Sequence, residues 1–321
     1  MLKTIFVNTL KLAVAAALIT WLLRSGKLDF KLLAQLQNHI PEVLLAATLS
    51  IINFVLVSYR WRNILEARST AHIPLWGVFK TTWIGQFFSS VLPGSVSGDL
   101  VKILYIQKYD QNFSKKFIFV SILIDRIIGL CGLILLVGTS SIFFGDHILA
   151  NAPAMKPLLQ VNYMLSAAVI CAVLIYVLFP NFVKKVFVLA EKTFFPKIWN
   201  KLGNLWDDLV SIKAQMLKGL AVSLVIQLNG VLIFWSLIHP FVAGKMDFIQ
   251  ALAFIPLGVV ALALPIAPSG LGVGHAIFQK LFEFSGIDNG ASLFNLFFVL
   301  TLAVNVIGVI PYLLSKTKKE N

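Results

Sequence analysis

Gly77-Val-Phe-Lys80-Thr-Thr-Trp-Ile-Gly-Gln86-Phe-Phe-Ser-Ser-Val-Leu-Pro-Gly94 is apolar enough to enter a bilayer, yet it carries Lys80, Thr81, Thr82, Gln86, Ser89 and Ser90 and breaks at a proline and a glycine. A second stretch, about 248–284, is apolar as far as Leu264-Pro265-Ile-Ala-Pro268-Ser-Gly-Leu-Gly-Val-Gly274 and then resumes with Ala276-Ile-Phe278. The rest of the chain is simpler. Apolar runs at about 5–23, 42–59, 117–144, 160–179, 219–238 and 292–314 each approach the ~20 residues that a helix needs to cross a hydrocarbon core. The 321 residues are 58% hydrophobic and 13% charged, with a mean hydropathy of +0.87, where soluble domains carry about a quarter charged residues. This excludes an ordinary soluble domain and predicts an all-α, polytopic helical membrane protein.

The net charge of +13 would suggest nucleic acid in a soluble protein. In a membrane protein it is read loop by loop, because Lys and Arg concentrate on the cytoplasmic side. Arg60, Arg62 and Arg68 follow the second run, seven lysines lie between 180 and 218, and Lys316, Lys318 and Lys319 close the chain. All three regions are expected inside, with both termini cytoplasmic in the cell's inner (plasma) membrane. The near-neutral loops 145–159 and 239–250 are expected outside. The first run follows Lys3 and continues through Trp21-Leu22-Leu23 to Arg24 without a small-residue cleavage site at its end, so it is read as a retained span. Cys131 and Cys171 lie within apolar runs and indicate neither a disulfide nor a metal site.

These assignments agree only if 75–98 enters and leaves on the cytoplasmic side and 248–284 enters and leaves on the outer side. The expected architecture is therefore about six spans plus two oppositely oriented re-entrant hairpins, turning at Leu92-Pro-Gly-Ser-Val-Ser-Gly98 and Pro265-Ile-Ala-Pro-Ser-Gly-Leu-Gly272. Broken elements at corresponding places in two inverted halves point to a transport site. Two kinked helices would be the plainer reading. The chain is read as one membrane domain, 1–321, containing a cytoplasmic segment at 181–218. In that segment Ile198, Leu202, Leu205, Leu209, Ile212 and Met216 form one helical stripe, suited to the membrane interface or to the protein's own cytoplasmic surface.

Polar side chains at membrane depth are costly and mark function or internal pairing. Asp125 and Arg126 lie about nine residues into their span, roughly 13 Å deep. Arg126 is a candidate phosphate ligand, or else locks helices together by pairing with Asp99 or Asp125. Gly94, Ser95, Ser97 and Gly98 precede Asp99 and Lys102 at a helix start, where free N–H groups form an anion site once a cation offsets Asp99. Ser97 as a simple helix cap is the alternative. At the second tip the candidates are Ser269, Gly270, Gly272 and His275, with His275 either a proton-coupling group or a hydrogen-bonded packing residue. Asn53, Gln227, Asn229 and Asn305 are expected to bond between helices. No phosphate-binding nucleotide loop, metal-binding histidine pair, dinucleotide fingerprint or nucleophile elbow occurs. No enzyme, cofactor or metal role is therefore expected.

Phe87-Phe-Ser-Ser-Val-Leu-Pro-Gly-Ser-Val-Ser-Gly-Asp99, Ser121-Ile-Leu-Ile-Asp-Arg-Ile-Ile-Gly129 and Pro265-Ile-Ala-Pro-Ser-Gly-Leu-Gly-Val273, in that order, resemble the lysylphosphatidylglycerol synthase transmembrane region family. The likeness extends over nearly the whole chain. In that family the last motif usually continues into Arg-Glu, where this sequence has Gly274 and His275. The resemblance implies a flippase-like domain, here without the aminoacyl transferase domain, so lysyl-lipid synthesis is not expected of this chain. The combined expectation is a lipid translocase moving an anionic or otherwise polar-headed lipid with a phosphate-containing head group. A membrane enzyme acting on polyprenyl-phosphate lipids, or a non-transporting scaffold or regulator, are the alternatives. No nucleic-acid partner is expected, and a homo-oligomer is left open.

Overall fold

The computed structural model of the protein describes residues 30–91, 97–192, 195–242, 244–263 and 273–315. Among them are thirteen α-helices and no strand: α1 Phe30–Gln35, α2 Ile40–Glu66, α3 Leu75–Val91, α4 Ser97–Ile106, α5 Lys115–Asn151, α6 Lys156–Leu178, α7 Pro180–Glu191, α8 Pro196–Ser211, α9 Lys213–Ile238, α10 Phe248–Ala263, α11 Val273–Glu283, α12 Gly290–Val306 and α13 Val309–Leu314. The chain is an all-α, multi-pass membrane protein. Five helical stretches are long and apolar enough to cross a membrane, beginning at Ile40, Lys115, Pro153, Lys213 and Gly290. They match five of the six runs expected from sequence; the sixth, 5–23, lies outside the described residues.

Local chemistry sets the starts of several helices. Ser114 Oγ accepts the Phe117 N–H at 3.1 Å to cap α5, and Pro41, Pro157, Pro180 and Pro196 occupy first-turn positions, where their missing N–H costs nothing. The four helices α3, α4, α10 and α11 are shorter than the spans. At 1.5 Å per residue α4 and α11 extend only about 15 Å, half a hydrocarbon core.

Each short helix packs on its neighbour, α3 on α4 and α10 on α11. The position of Gly77, at the start of α3, lies against the Tyr109 ring just beyond α4. The first pair therefore opens toward the end of the bundle that carries Arg68, Lys116 and the α7–α8 segment. The second opens toward the opposite end, where Lys245 Nζ donates to the Gly286 carbonyl at 3.0 Å and Asp247 meets His147 at the end of α5.

Span, short pair, span occurs twice and in opposite senses: α2, α3, α4, α5, then α9, α10, α11, α12. Corresponding helices begin at 40 and 213, 75 and 248, 97 and 273, and 115 and 290, which are 173, 173, 176 and 175 residues apart. The packing follows the same exchange. The leading spans α2 and α9 lie together, α3 touches α12, and α10 lies along α5, so each short pair contacts a closing span of the other set.

The two pairs are held by different means. The second lies in a core of stacked rings in which Phe278 is 5.0 Å from Phe234 and 4.9 Å from Phe294, with Phe297 4.8 Å from Phe234. The first adds glycine contact and ions to apolar packing, in which Ile84, Phe87 and Phe88 of α3 lie against Val101 and Tyr105 of α4. The amphipathic stripe of 181–218 divides in two: Leu209 and Ile212 pack with Ile124 and Ile128 of α5, while Ile198, Leu202 and Leu205 stay exposed and line a crevice of about 740 Å³ against Phe117 and Val120.

Candidate functional site

Asp99 stands in the first turn of α4 with its side chain 7% exposed. Arg126 of α5 reaches it from the side, Nη2 to Oδ2 at 2.6 Å, and Lys102, one turn along α4, lies with Nζ 3.4 Å from Oδ1. One carboxylate thus faces two cations. A buried carboxylate requires such pairing, since an unpaired one would be strongly disfavoured in low dielectric. Lys102 Nζ also lies 5.7 Å from the centre of the Trp61 ring, and Trp61 Nε1 donates to Ser121 Oγ at 3.0 Å. The Arg126 side chain is half exposed, so its guanidinium borders the outside of the cluster.

The cluster depends on close approach of α3 and α4. A Cβ at Gly98 would sit 2.1 Å from the Gly85 carbonyl oxygen and from Ser89 Oγ, so no larger residue fits between the helices. The bare edge of Gly98 is filled by α3. Ser97 begins α4, with its hydroxyl 3.5 Å from the Phe88 carbonyl oxygen. Gly94 and Ser95, expected beside them, lie outside the described residues, as do Ser269, Gly270 and Gly272 of the second tip.

Asp125 is separated from Arg126 in function of contact. Adjacent helical residues point about 100° apart, and Asp125 faces α2, where Arg60 holds it through Nε–Oδ1 at 2.7 Å and Nη2–Oδ2 at 3.0 Å. Arg60 Nη1 donates to Ser223 Oγ of α9 at 3.0 Å. Arg60 is only 5% exposed and joins α2, α5 and α9. This corrects the placement of Arg60 in a cytoplasmic loop: α2 continues to Glu66, and Arg60 belongs to the interior of the bundle. The signal was present in the sequence, since Trp61, Ile64 and Leu65 continue the helical apolar spacing past it.

His275 belongs to the other helix pair. Its ring stands edge-on to Phe294 at 5.0 Å and lies 6.3 Å from Phe298, an aromatic setting. Beside it, a Cβ at Gly274 would fall 2.5 Å from the Phe294 ring. The two positions where the resembled motif carries Arg-Glu therefore hold a glycine that admits a ring and a histidine that packs on it.

Among α2, α3, α9 and α12 lies a cavity of about 190 Å³ with a mixed lining, its polar groups coming from Ser50 and Asn53 of α2, Gln86 of α3, and Thr301 and Asn305 of α12. Amides at and near this cavity hold the helices together. Asn229 Nδ2 donates to the Leu49 carbonyl at 2.9 Å and to Asn53 Oδ1 at 3.2 Å, Asn305 Nδ2 to Ser90 Oγ at 2.8 Å, and Gln227 Nε2 to the Gly129 carbonyl at 2.9 Å. Asn53 is thirteen residues into α2, about 20 Å along it. Among the described residues no three His, Cys, Asp or Glu side chains converge as a metal site would need.

The sequence profile of the lysylphosphatidylglycerol synthase TM region matches residues 8–311. The chain belongs to this family. A second likeness is to the UPF0104 membrane protein PH1989 of Pyrococcus horikoshii, 20% identical over 280 residues, which are 79% of this chain and 80% of that protein. No solved structure matches.

Proposed function

We propose that the chain is a lipid translocase, moving an anionic or otherwise polar-headed lipid with a phosphate-containing head group between leaflets of the plasma (inner) membrane. It acts as a transporter and not as an enzyme, with both termini cytoplasmic. In this reading α3–α4 and α10–α11 are re-entrant hairpins inserted from opposite faces, and the acyl or prenyl chains stay in lipid while the head group crosses.

One observation carries the proposal: a buried carboxylate shared by two cations, one of which, Arg126, borders the outside of the cluster. A guanidinium binds phosphate with the same bidentate geometry that it offers a carboxylate. Arg126 can therefore exchange Asp99 for a lipid phosphate while Lys102 keeps Asp99 compensated, so no charge is stranded during the exchange. Arg126 lies eleven residues into α5, about 16 Å along it and near the middle of a hydrocarbon core. The cavity beside Asn53 and Gln86 supplies hydrogen-bonding groups at comparable depth. Movement is downhill or coupled to an ion gradient.

The test is purified protein in liposomes with a head-group-labelled anionic or prenyl-phosphate lipid. Transfer between leaflets should accelerate with the lipid chemically unchanged, and Arg126→Gln should abolish the acceleration, since an amide cannot neutralise a phosphate in low dielectric. Transfer at the protein-free rate across a broad lipid panel would sink the translocase and favour a scaffold. A covalently altered lipid would favour an enzyme.

A further inference from the structure

Away from the Asp99 cluster, the basic end of the bundle contains a cavity of about 660 Å³ between α3, α4 and α13. Its polar groups include Lys80 and Lys108, and no Asp or Glu lines it. Both lysines lie against rings: Lys80 Nζ is 5.1 Å from the centre of Trp76, and Lys108 Nζ is 4.5 Å from that of Tyr105. Trp83 and Tyr109 complete an aromatic rim. The opposite wall is apolar. Ile307, Ile310 and Leu314 line the cavity and are also 42%, 53% and 76% exposed, so the wall continues onto the outer face of the bundle. The chain then runs on from Ser315, another lining residue, to Lys316, Lys318 and Lys319.

Each part of this arrangement matches one part of a single ligand. Two ammonium groups lining one cavity without a carboxylate attract a phosphate. Trp and Tyr rings settle at the head-group level of a bilayer. An exposed aliphatic wall leading away from them suits an acyl chain. Partial desolvation also holds the Lys108 ammonium below its ordinary pKa, in a setting where no carboxylate partner lines the cavity.

We propose that this cavity is a binding site for an anionic glycerophospholipid of the basic-side leaflet, its phosphate between Lys80 and Lys108 and its acyl chain along Ile307, Ile310 and Leu314. It shares no residue with the Asp99 cluster and does not depend on translocation.

The full chain in phosphatidylcholine bilayer discs tests this through Trp76 and Trp83. Fluorescence lost in the double variant Trp76→Phe with Trp83→Phe defines the cavity signal among the seven tryptophans. Chain-brominated phosphatidylglycerol should quench that signal at a mole fraction about tenfold below brominated phosphatidylcholine, as expected for two lysines near an anionic head group. Lys80→Gln with Lys108→Gln should abolish the preference, and the corresponding pair of arginine substitutions should retain it. Equal quenching by the two lipids, or a preference surviving the glutamine pair, overturns the proposal. Reversal by inorganic phosphate would assign a soluble anion instead of a lipid. If the glutamine pair fails to fold, the unaltered protein still decides: the preference must fall as salt rises, because lysine–phosphate attraction is screened, and a salt-independent preference overturns the site. Because the readout is occupancy at equilibrium, this result and the transport result can fail separately.

Discussion

Arg60 holds Asp125 through two near-parallel hydrogen bonds of 2.7 and 3.0 Å, while the next residue of the same helix, Arg126, reaches Asp99 at 2.6 Å. Two ion pairs of opposite polarity thus leave α5 in different directions. One is largely buried and joins three spans; the other is half open at its arginine. The first is a structural clamp, and the second is the pair that the proposed transport would open.

The clamp predicts a large coupling energy. Asp125→Ala or Arg60→Ala leaves a buried charge alone and should cost about 3–5 kcal/mol, whereas Arg60→Met combined with Asp125→Leu should cost much less. Unfolding midpoints of the detergent-solubilised protein measure this. A loss in the double variant Arg60→Ala with Asp125→Ala equal to the sum of the two alanine losses would show that the pair is not coupled.

Gly98→Ala should prevent closure of the α3–α4 pair, because the new Cβ meets a backbone carbonyl at 2.1 Å. The variant should lose lipid transfer together with thermal stability. Gly203→Ala on α8 is the control. Its Cβ would find only Phe187 Cβ at 3.7 Å, and an alanine for glycine in a helix should stabilise by up to about 1 kcal/mol. Equal tolerance of both substitutions would refute the close-contact account.

Asp110, in the loop between α4 and α5, predicts a pH dependence. Burial raises its pKa, but the N–H groups of Asn112 and Thr70 and the hydroxyls of Ser69 and Thr70 together outweigh burial and hold the carboxyl below its ordinary value. The folded state therefore binds this proton more weakly than the unfolded chain does. Its stabilisation is complete above the ordinary aspartate range and disappears as pH falls through the lower folded value. Thermal melts in the acid range should show a decline that Asp110→Asn reduces; an identical decline in the variant would remove Asp110 as its cause.

The opposed helix pairs predict labelling from opposite sides. With Cys131 and Cys171 replaced, single cysteines at His72 and Asp288, exposed next to the first and second pairs respectively, should react with an impermeant maleimide from opposite faces of sealed vesicles. Reaction from the same face would contradict the inverted arrangement.

Much of the architecture was legible in the residues alone. Apolar runs of about twenty residues require helices in lipid, because no water is present to satisfy an exposed backbone. The Pro and Gly clusters near 93 and 265–274 mark where two segments break, and the spacing from Ile198 to Met216 marks an amphipathic helix. Asp99, Lys102 and Arg126 could be nominated as costly charges at membrane depth. For Arg126 the sequence offered Asp99 or Asp125 as partner without choosing between them, and the structure pairs it with Asp99; Arg60 was read as a loop charge because charge alone suggested a span ending before it.

The residue order along the chain thus determined the all-α class, the five described spans and which side chains had to find partners. Only the tertiary structure decided which partners they found. Asp125 and Arg126 differ by one residue and about 100° of helix rotation, and α5 has α2 on one side and α4 on another. A pairing across 65 residues, such as Arg60 with Asp125, leaves no local periodicity to read. It is set by how α2, α5 and α9 pack, where the penalty for an unpaired buried charge selects the arrangement in which each carboxylate meets a cation.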